Sequence, residues 1–389
     1  MNRPGAAIVG LGMTAMGKVF DQTASELAVA AVRGAAQDAG LRLDQIDGLL
    51  TNHGVSAGIG LGLQRDLGLR DLRLLAEIQS FGSSAGVMVA QAAMAIASGT
   101  ATTVACVFAD TPLQLGASTG AAYADPTRRM RPGFAGMPVA GGLIGPNVGY
   151  ALAARRHMDR FGTTSEQFGA VATSTREWAV LNPLAQMRQP MTLSDHQNSR
   201  WVVEPLRLLD CCLVSNGSIA VIVTSAERAA TLDCTPVYVH GWGQGHPGYV
   251  SAADSDFGLV TGAKQSGRQA MRMAGVTIDQ IDIRELYDCY TYTTLVTLED
   301  YGFCDKGEGG ALAESGALGP NGNLPTNTGG GQLSSYYMWG MTPLSEAVIQ
   351  ARGAGGDRQV SKHDLVLVSG NGGILDHHST LILSPHARN

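Results

Sequence analysis

The nine residues Ala39-Gly40-Leu41-Arg42-Leu43-Asp44-Gln45-Ile46-Asp47 return as Ala274-Gly275-Val276-Thr277-Ile278-Asp279-Gln280-Ile281-Asp282, at a constant offset of 235 residues and with six of nine positions identical. Each copy follows an amphipathic run, Ser25 to Ala39 or Gln265 to Ala274, and meets a glycine. Each then leads into a strand-like stretch, Gly48-Leu49-Leu50 or Ile283-Arg284-Glu285-Leu286. Glycine at a helix end supplies the left-handed residue that stops the helix, so each copy reads as helix, cap, acidic turn and strand. A unit repeated at this distance implies two similar halves built on one plan. The boundary falls near 232–238, giving residues 1–232 and 233–389.

With 389 residues, of which 44% are hydrophobic and 15% charged, the chain can bury a large core and is not disordered. A net charge of -6 without a basic block argues against nucleic acid and anionic membranes as partners. Any anionic substrate has to be met locally. No stretch of about 18 apolar residues occurs, so no membrane span is expected. The opening Met1-Asn2-Arg3-Pro4-Gly5 leads into an apolar run too short for a signal peptide. Six cysteines without a Cys-x-x-Cys pair read as reduced thiols, and a cytoplasmic protein with no metal site of its own is expected.

Ala6 to Val9, Thr102 to Phe108 and the β-branched run from Ser218 to Ser225 read as buried strands, alternating with helical patterns at Ser25–Ala39 and Ser84–Ser98. Alternation of this kind implies a helix-covered α/β sheet. Residues 110–146 turn rich in Gly, Ala and Pro, opening a loop domain of about 110–205 that covers a site. Tyr150 to Val180 reads as helical. The second half adds helices near Thr294–Tyr301 and Pro343–Ala351, with strands at Leu365–Ser369 and Thr380–Ser384.

Three segments of the first half carry a resemblance: Asn182-Pro183-Leu184-Ala185-Gln186-Met187-Arg188, Pro205-Leu206-Arg207-Leu208-Leu209-Asp210-Cys211-Cys212 and Ser215-Asn216-Gly217-Ser218-Ile219-Ala220. In the second half it continues through Glu285-Leu286-Tyr287-Asp288-Cys289-Tyr290, Leu298 to Cys304, and Asn327-Thr328-Gly329-Gly330-Gly331-Gln332-Leu333-Ser334. Together with the duplication, these resemble the thiolase superfamily nearly end to end, and within it the sterol-carrier-protein or lipid-transfer-protein thiolases. The resemblance implies a five-layer αβαβα thiolase fold and a homodimer.

A thiolase carries a nucleophilic cysteine at a helix start in its first half, where the helix N-terminus lowers the thiol pKa. That position falls on Gly82, within Ser80-Phe81-Gly82-Ser83-Ser84-Ala85-Gly86. Ser83 or Ser84 could substitute as a nucleophile, or act as a helix cap. The family's two histidines fall on Tyr287 and Tyr337, with Tyr336 beside the second. Without the nucleophile an acyl-enzyme cannot form. The backbone amides of Gly82 and Gly372, which correspond to the donors that hold a thioester oxygen, can still stabilise an enolate.

This pattern resembles the lipid-transfer-protein-type aldolases of bacterial steroid side-chain degradation. The likeness implies cleavage of a branched β-hydroxyacyl-CoA to a ketone and a short acyl-CoA such as propionyl-CoA. Tyr287 and Tyr337 would be the acid/base pair, without a fixed assignment. It also implies a heterotetramer with a small OB-fold, zinc-ribbon protein, any zinc lying in that partner and coenzyme A entering only as part of the substrate. A phenol is a poor base at neutral pH, and Asp288 next door would raise its pKa further. Two alternatives remain: acyl transfer through Ser83 or Cys289, and a silent acyl-CoA-binding subunit.

Other signals are weaker. Gly10-Leu11-Gly12 loosely matches a dinucleotide fingerprint, but Met16 to Phe20 intervene before the helix. His246, in Gly245-His246-Pro247, reads as a loop or pocket residue. Of His377 and His378, which point to opposite faces of a strand, His378 is the expected inward one. Arg128, Arg129 and Arg131 could meet CoA phosphates or lie in solvent. Tyr290 and Tyr292 read as packing residues.

Overall fold

The computed structural model describes residues 5–124, 137–142, 145–248 and 257–387; Arg128, Arg129 and Arg131 lie outside them. In chain order, the elements that build the molecule begin with β1 (Ala6–Met13), α1 (Ala24–Asp38), β2 (Gly48–His53), β3 (Leu74–Glu77), α2 (Ser84–Ala97) and β4 (Thr103–Asp110). Next come α3 (Pro146–Phe161), α4 (Ser165–Leu181), β5 (Gly217–Ser225), β6 (Val237–Gly245), α5 (Ala263–Ala274) and β7 (Ile283–Glu285). The chain finishes with α6 (Thr291–Tyr301), α7 (Met341–Ala351), β8 (Val366–Gly372) and β9 (His377–Ser384). The expected helix over 150–180 is two helices, because Gly162 takes φ +76° and ends α3.

The strands run in the order β3-β2-β4-β5-β1-β6-β9-β8-β7, which is symmetric about the β1–β6 pair over four strands on each side. On each side the two inner contacts are antiparallel and the next is parallel. Where β3 adds an outer strand beside β2, the second half has only a parallel bridge from Arg284 to Thr326. The central join is short, pairing Ala6 with Val239, Ala7 with Tyr238 and Ile8 with Val237.

Alternate residues of the buried strands serve different cores, which is why these strands are apolar throughout. Ala7, Val9, Ala220 and Ile222 pack under α1, whereas Ile8, Ile219, Val221 and Val223 face inward. The inner core takes Met88 and Val89 from α2 together with Leu344 and Val348 from α7, and strands from both halves. Leu367 and Ile382 pack outward with Ala263 and Ala270 of α5. Helices α1 and α5 are thus the outer layers and α2 with α7 the middle one, the five-layer αβαβα arrangement.

Gly10 and Gly12 lie inside β1, not in a phosphate-binding turn. A Cβ on either would sit 2.0 Å from a backbone carbonyl oxygen of α1, that of Ala35 or Ala31. Gly241 and Gly243 of β6 bear the same relation to α5, with Ala270 and Ser266 carbonyl oxygens 2.2 and 2.1 Å away. The dinucleotide-like motif is therefore half of a duplicated strand–helix packing device.

Candidate active site

The ends of α2 and β8 and two loops of the second half converge at the boundary between the halves. One loop follows β7 and carries Tyr287, Asp288 and Cys289. The other is a π-helical turn, Gly331–Ser335, that delivers Tyr336 and Tyr337. Gly330 and Gly331 take φ +88° and +53° there, conformations that side chains disfavour.

The Tyr337 loop is held from below by the segments that carried the family resemblance. Gln186 and Met187 amides donate to the carbonyls of Ser335 and Ser334, and the Leu213 amide donates to Gln332. Asn182 Nδ2 donates to the Gly329 carbonyl at 2.7 Å. Gln186 Nε2 and the Tyr337 amide both donate to Ser215 Oγ, at 2.9 and 3.1 Å. The Tyr287 loop is fixed by the Leu286 amide, which donates to Asn327 Oδ1 at 2.6 Å.

These supports bring the hydroxyls of Tyr287 and Tyr337 to 2.9 Å, where either can donate. Tyr287 is buried and Tyr337 partly so. Burial pushes the Tyr287 phenol well above its ordinary pKa, reinforced by Cys289 and Tyr150 nearby. Burial does the same to Tyr337, reinforced by Tyr287 itself. Both are therefore neutral phenols at physiological pH, each a donor and an acceptor at once.

Gly82 lies directly under this pair. A Cβ there would stand 2.2 Å from ring carbons of Tyr287 and 2.2 Å from the Asn371 carbonyl oxygen. Gly372 is its neighbour, since a Cβ on Gly372 would lie 3.1 Å from the Gly82 nitrogen. The two glycines and two tyrosines are thus brought together.

The remaining candidates divide. Ser83 is fully buried and its hydroxyl donates to the Ser80 carbonyl at 2.8 Å; Ser84 Oγ accepts from the Ser80 amide at 2.7 Å. Neither makes the expected side-chain cap, and the Ser83 hydroxyl faces a carbonyl and not a base. Cys289 is a buried thiol whose pKa burial pushes up. Asp288 turns away from the phenols, toward the amides of Gln332 and Leu333. Tyr336 is a buried packing residue hydrogen-bonded to Ser345. Tyr290 and Tyr292 bond Asn147 and the Gly258 carbonyl.

Of the two strand histidines His378 is the buried one, as expected, but the one beside Gly82 is His377. His378 is sealed beneath α5 and α6, bonded to Tyr301 and Ser369 at 3.0 Å each. His377, on the opposite face, stacks on Phe81 next to Gly82 and meets His246 nitrogen to nitrogen at 3.0 Å. Burial, with His377 beside it, lowers the pKa of His246. Strand alternation alone separates the two histidines, but the turn before β9 decides which face the site occupies. Sequence reasoning also passed over Tyr150 and Asn371. Tyr150 packs on Tyr290 and its hydroxyl accepts from Asn371 Nδ2 at 3.4 Å. No run of residue types marks either, because both belong to the site only through the packing of α3 on β8. Among the described residues no group of three or more His, Cys, Asp or Glu could hold a metal, and no helix is long and apolar enough to cross a membrane.

Residues 243–385 match the family model for a thiolase C-terminal domain-like region. The fold is that of human mitochondrial 3-ketoacyl-CoA thiolase, superimposing with a TM-score of 0.71 over the whole of both chains at 15% identity. The chain belongs to the thiolase superfamily, in a branch with steroid side-chain-cleaving aldolases. A steroid side-chain-cleaving aldolase of Thermomonospora curvata is 37% identical over 95% of this chain and 96% of its own. The 17-hydroxy-3-oxo-4-pregnene-20-carboxyl-CoA lyase of Mycobacterium tuberculosis is 35% identical over 94% and 96%. A solved structure of an Ltp2-ChsH2(DUF35) aldolase superimposes with a TM-score of 0.88 at 36% identity, covering 98% of each chain.

Proposed function

We propose that this chain is a lyase that cleaves a branched β-hydroxyacyl-CoA, the side chain of a steroid, by a retro-aldol reaction. The observation that carries this reading is the phenol pair 2.9 Å apart over a glycine at the nucleophile's place. One phenol accepts the proton of the β-hydroxyl as it passes its own proton to the other. The Cα–Cβ bonding pair moves into the thioester as an enolate, leaving a ketone. The enolate oxygen accepts from the amides of Gly82 and Gly372. As it receives that proton the second phenol gives its own to the α-carbon, where the negative charge develops, releasing a short acyl-CoA such as propionyl-CoA, and both tyrosines end as they began. A relay of this kind needs no free phenolate, which answers how phenols with raised pKa can serve.

The names of the two relatives at 35–37% identity support the substrate class, and the DUF35 component of the solved aldolase supports a partner of that type. A homodimeric core, a zinc-ribbon fold in the partner and a cytoplasmic location belong to the same reading. Acyl transfer has less support, since Ser83 faces no base and the Cys289 thiol is held protonated.

The test is mass spectrometry of the products from a β-hydroxy, α-methyl steroidal acyl-CoA, with the DUF35 partner present. Propionyl-CoA and a ring ketone are expected. Tyr287→Phe and Tyr337→Phe are each expected to lower kcat by at least about 100-fold, the usual range for a general acid or base, while the protein stays folded. Wild-type turnover in either variant removes that tyrosine from the mechanism.

A further inference from the structure

Asp288 follows Tyr287 directly, and its side chain is fully buried. Its Oδ1 accepts from the Gln332 amide at 2.8 Å and its Oδ2 from the Leu333 amide at 3.4 Å. Both donors lie in the turn Gly331–Ser335, whose far end is followed by Tyr336 and Tyr337. The contact is close: a Cβ on Gly331 would stand 2.0 Å from Asp288 Oδ2. One carboxylate therefore ties the backbone beside one phenol to the turn that aims the other.

The neighbouring acids do different work. Glu285 accepts from the amide and hydroxyl of Thr328, and Glu346 is paired with Arg358 through both oxygens. They anchor the far end of the glycine-rich loop. We propose that Asp288 is a positioning residue for the cleavage reaction, a clasp between the two tyrosine loops that sets the separation of the phenols. This rests on the retro-aldol reading for its catalytic consequence, though not for its geometry. Burial pushes the Asp288 carboxyl up to about 7, and the Gln332 and Leu333 amides work against that rise, as expected of a group kept in place for those two bonds.

Two measurements test it. Hydrogen exchange should show the amides of 329–337 opening at least about tenfold faster in Asp288→Ala while those of β5 keep their rate. Turnover should be taken per binding site, counted with an acyl-CoA that lacks the β-hydroxyl. Asp288→Ala is expected to lower kcat about 100-fold with KM little changed, the scale of a misplacement near 1 Å. Asp288→Asn, which keeps one acceptor, should fall between it and the wild type. Unchanged exchange in the 329–337 segment overturns the clasp. Faster exchange with unchanged kcat per site leaves Asp288 merely structural and overturns its role in the reaction. If the wild type itself cleaves no steroidal acyl-CoA, the retro-aldol reading fails, and the exchange data still decide the clasp.

Discussion

Gly82 and Tyr287 cannot be understood separately. The space into which a residue-82 side chain would grow is filled by the Tyr287 ring on one side and by the Asn371 carbonyl on the other, each 2.2 Å from an added Cβ. The ring can turn away, but the carbonyl belongs to β8 and cannot. Restoring a thiolase-like nucleophile with Gly82→Cys is therefore expected to displace Tyr287 and produce no acyl-enzyme. Overpacking of this sort destabilises by about 1–3 kcal/mol. Intact mass spectra after incubation with propionyl-CoA check the first point, and an acylated cysteine in an otherwise stable variant would show that the two positions are independent. Gly82 as the expected cysteine position and Tyr287 and Tyr337 as the expected histidine positions were both read from the sequence. That one makes room for the other was not, because the contact joins residues 205 positions apart and depends on where a ring lies.

At the scale of elements, the repeated nine residues explain themselves. Gln45 and Gln280 each accept from the amide three residues earlier, that of Arg42 or Thr277, at 2.9 Å, closing a 3₁₀ turn in both halves. Asp47 then accepts from the amides of Thr102 and Thr103, and Asp282 from the amide of Leu365 at 2.9 Å. Each aspartate pins the start of the neighbouring parallel strand, β4 or β8, and with it the register. Asp47→Ala and Asp282→Ala should each cost about 1–3 kcal/mol, since partly buried backbone donors lose a charged acceptor. Asp44→Ala, whose partner is a surface arginine, should change stability by no more than about 0.5 kcal/mol. Denaturant titration checks all three, and equal effects would show that position in the turn is irrelevant. The helices and strands themselves were legible from periodicity. The break at Gly162 was missed although Gly162 and the capping box of Thr164 with Gln167 mark it, and the π-helical turn because glycine-rich sequence has no periodicity to read.

The whole molecule carries a buried histidine whose titration should be visible in global stability. Burial pushes His378 down to about 3, below an unfolded value near 6.5. Between those pH values the unfolded chain binds a proton that the folded one refuses. Stability from this site is thus complete above about 6.5 and is lost as pH falls, by up to about 1.4 kcal/mol per pH unit. Buried Asp288 and Glu285, whose pKa values are raised, act in the opposite sense. The readout is therefore the difference between wild type and His378→Gln, which should converge as pH drops from 6.5. Parallel stability curves would assign the acid response to other groups. The duplicated plan and layer order were legible from the repeat and the strand–helix alternation, but the continuous ladder through β1 and β6 was not, because three residue pairs of ordinary apolar composition make it.

That ladder joins two halves which also meet at the site: Gly82 comes from the first, and Gly372 with both tyrosines from the second. A molecule seated there is gripped from both sides, so its binding energy adds to the free energy needed to part the halves. On the proposed reading the substrate is in that sense a removable rivet: an occupied site adds to what holds the two halves together.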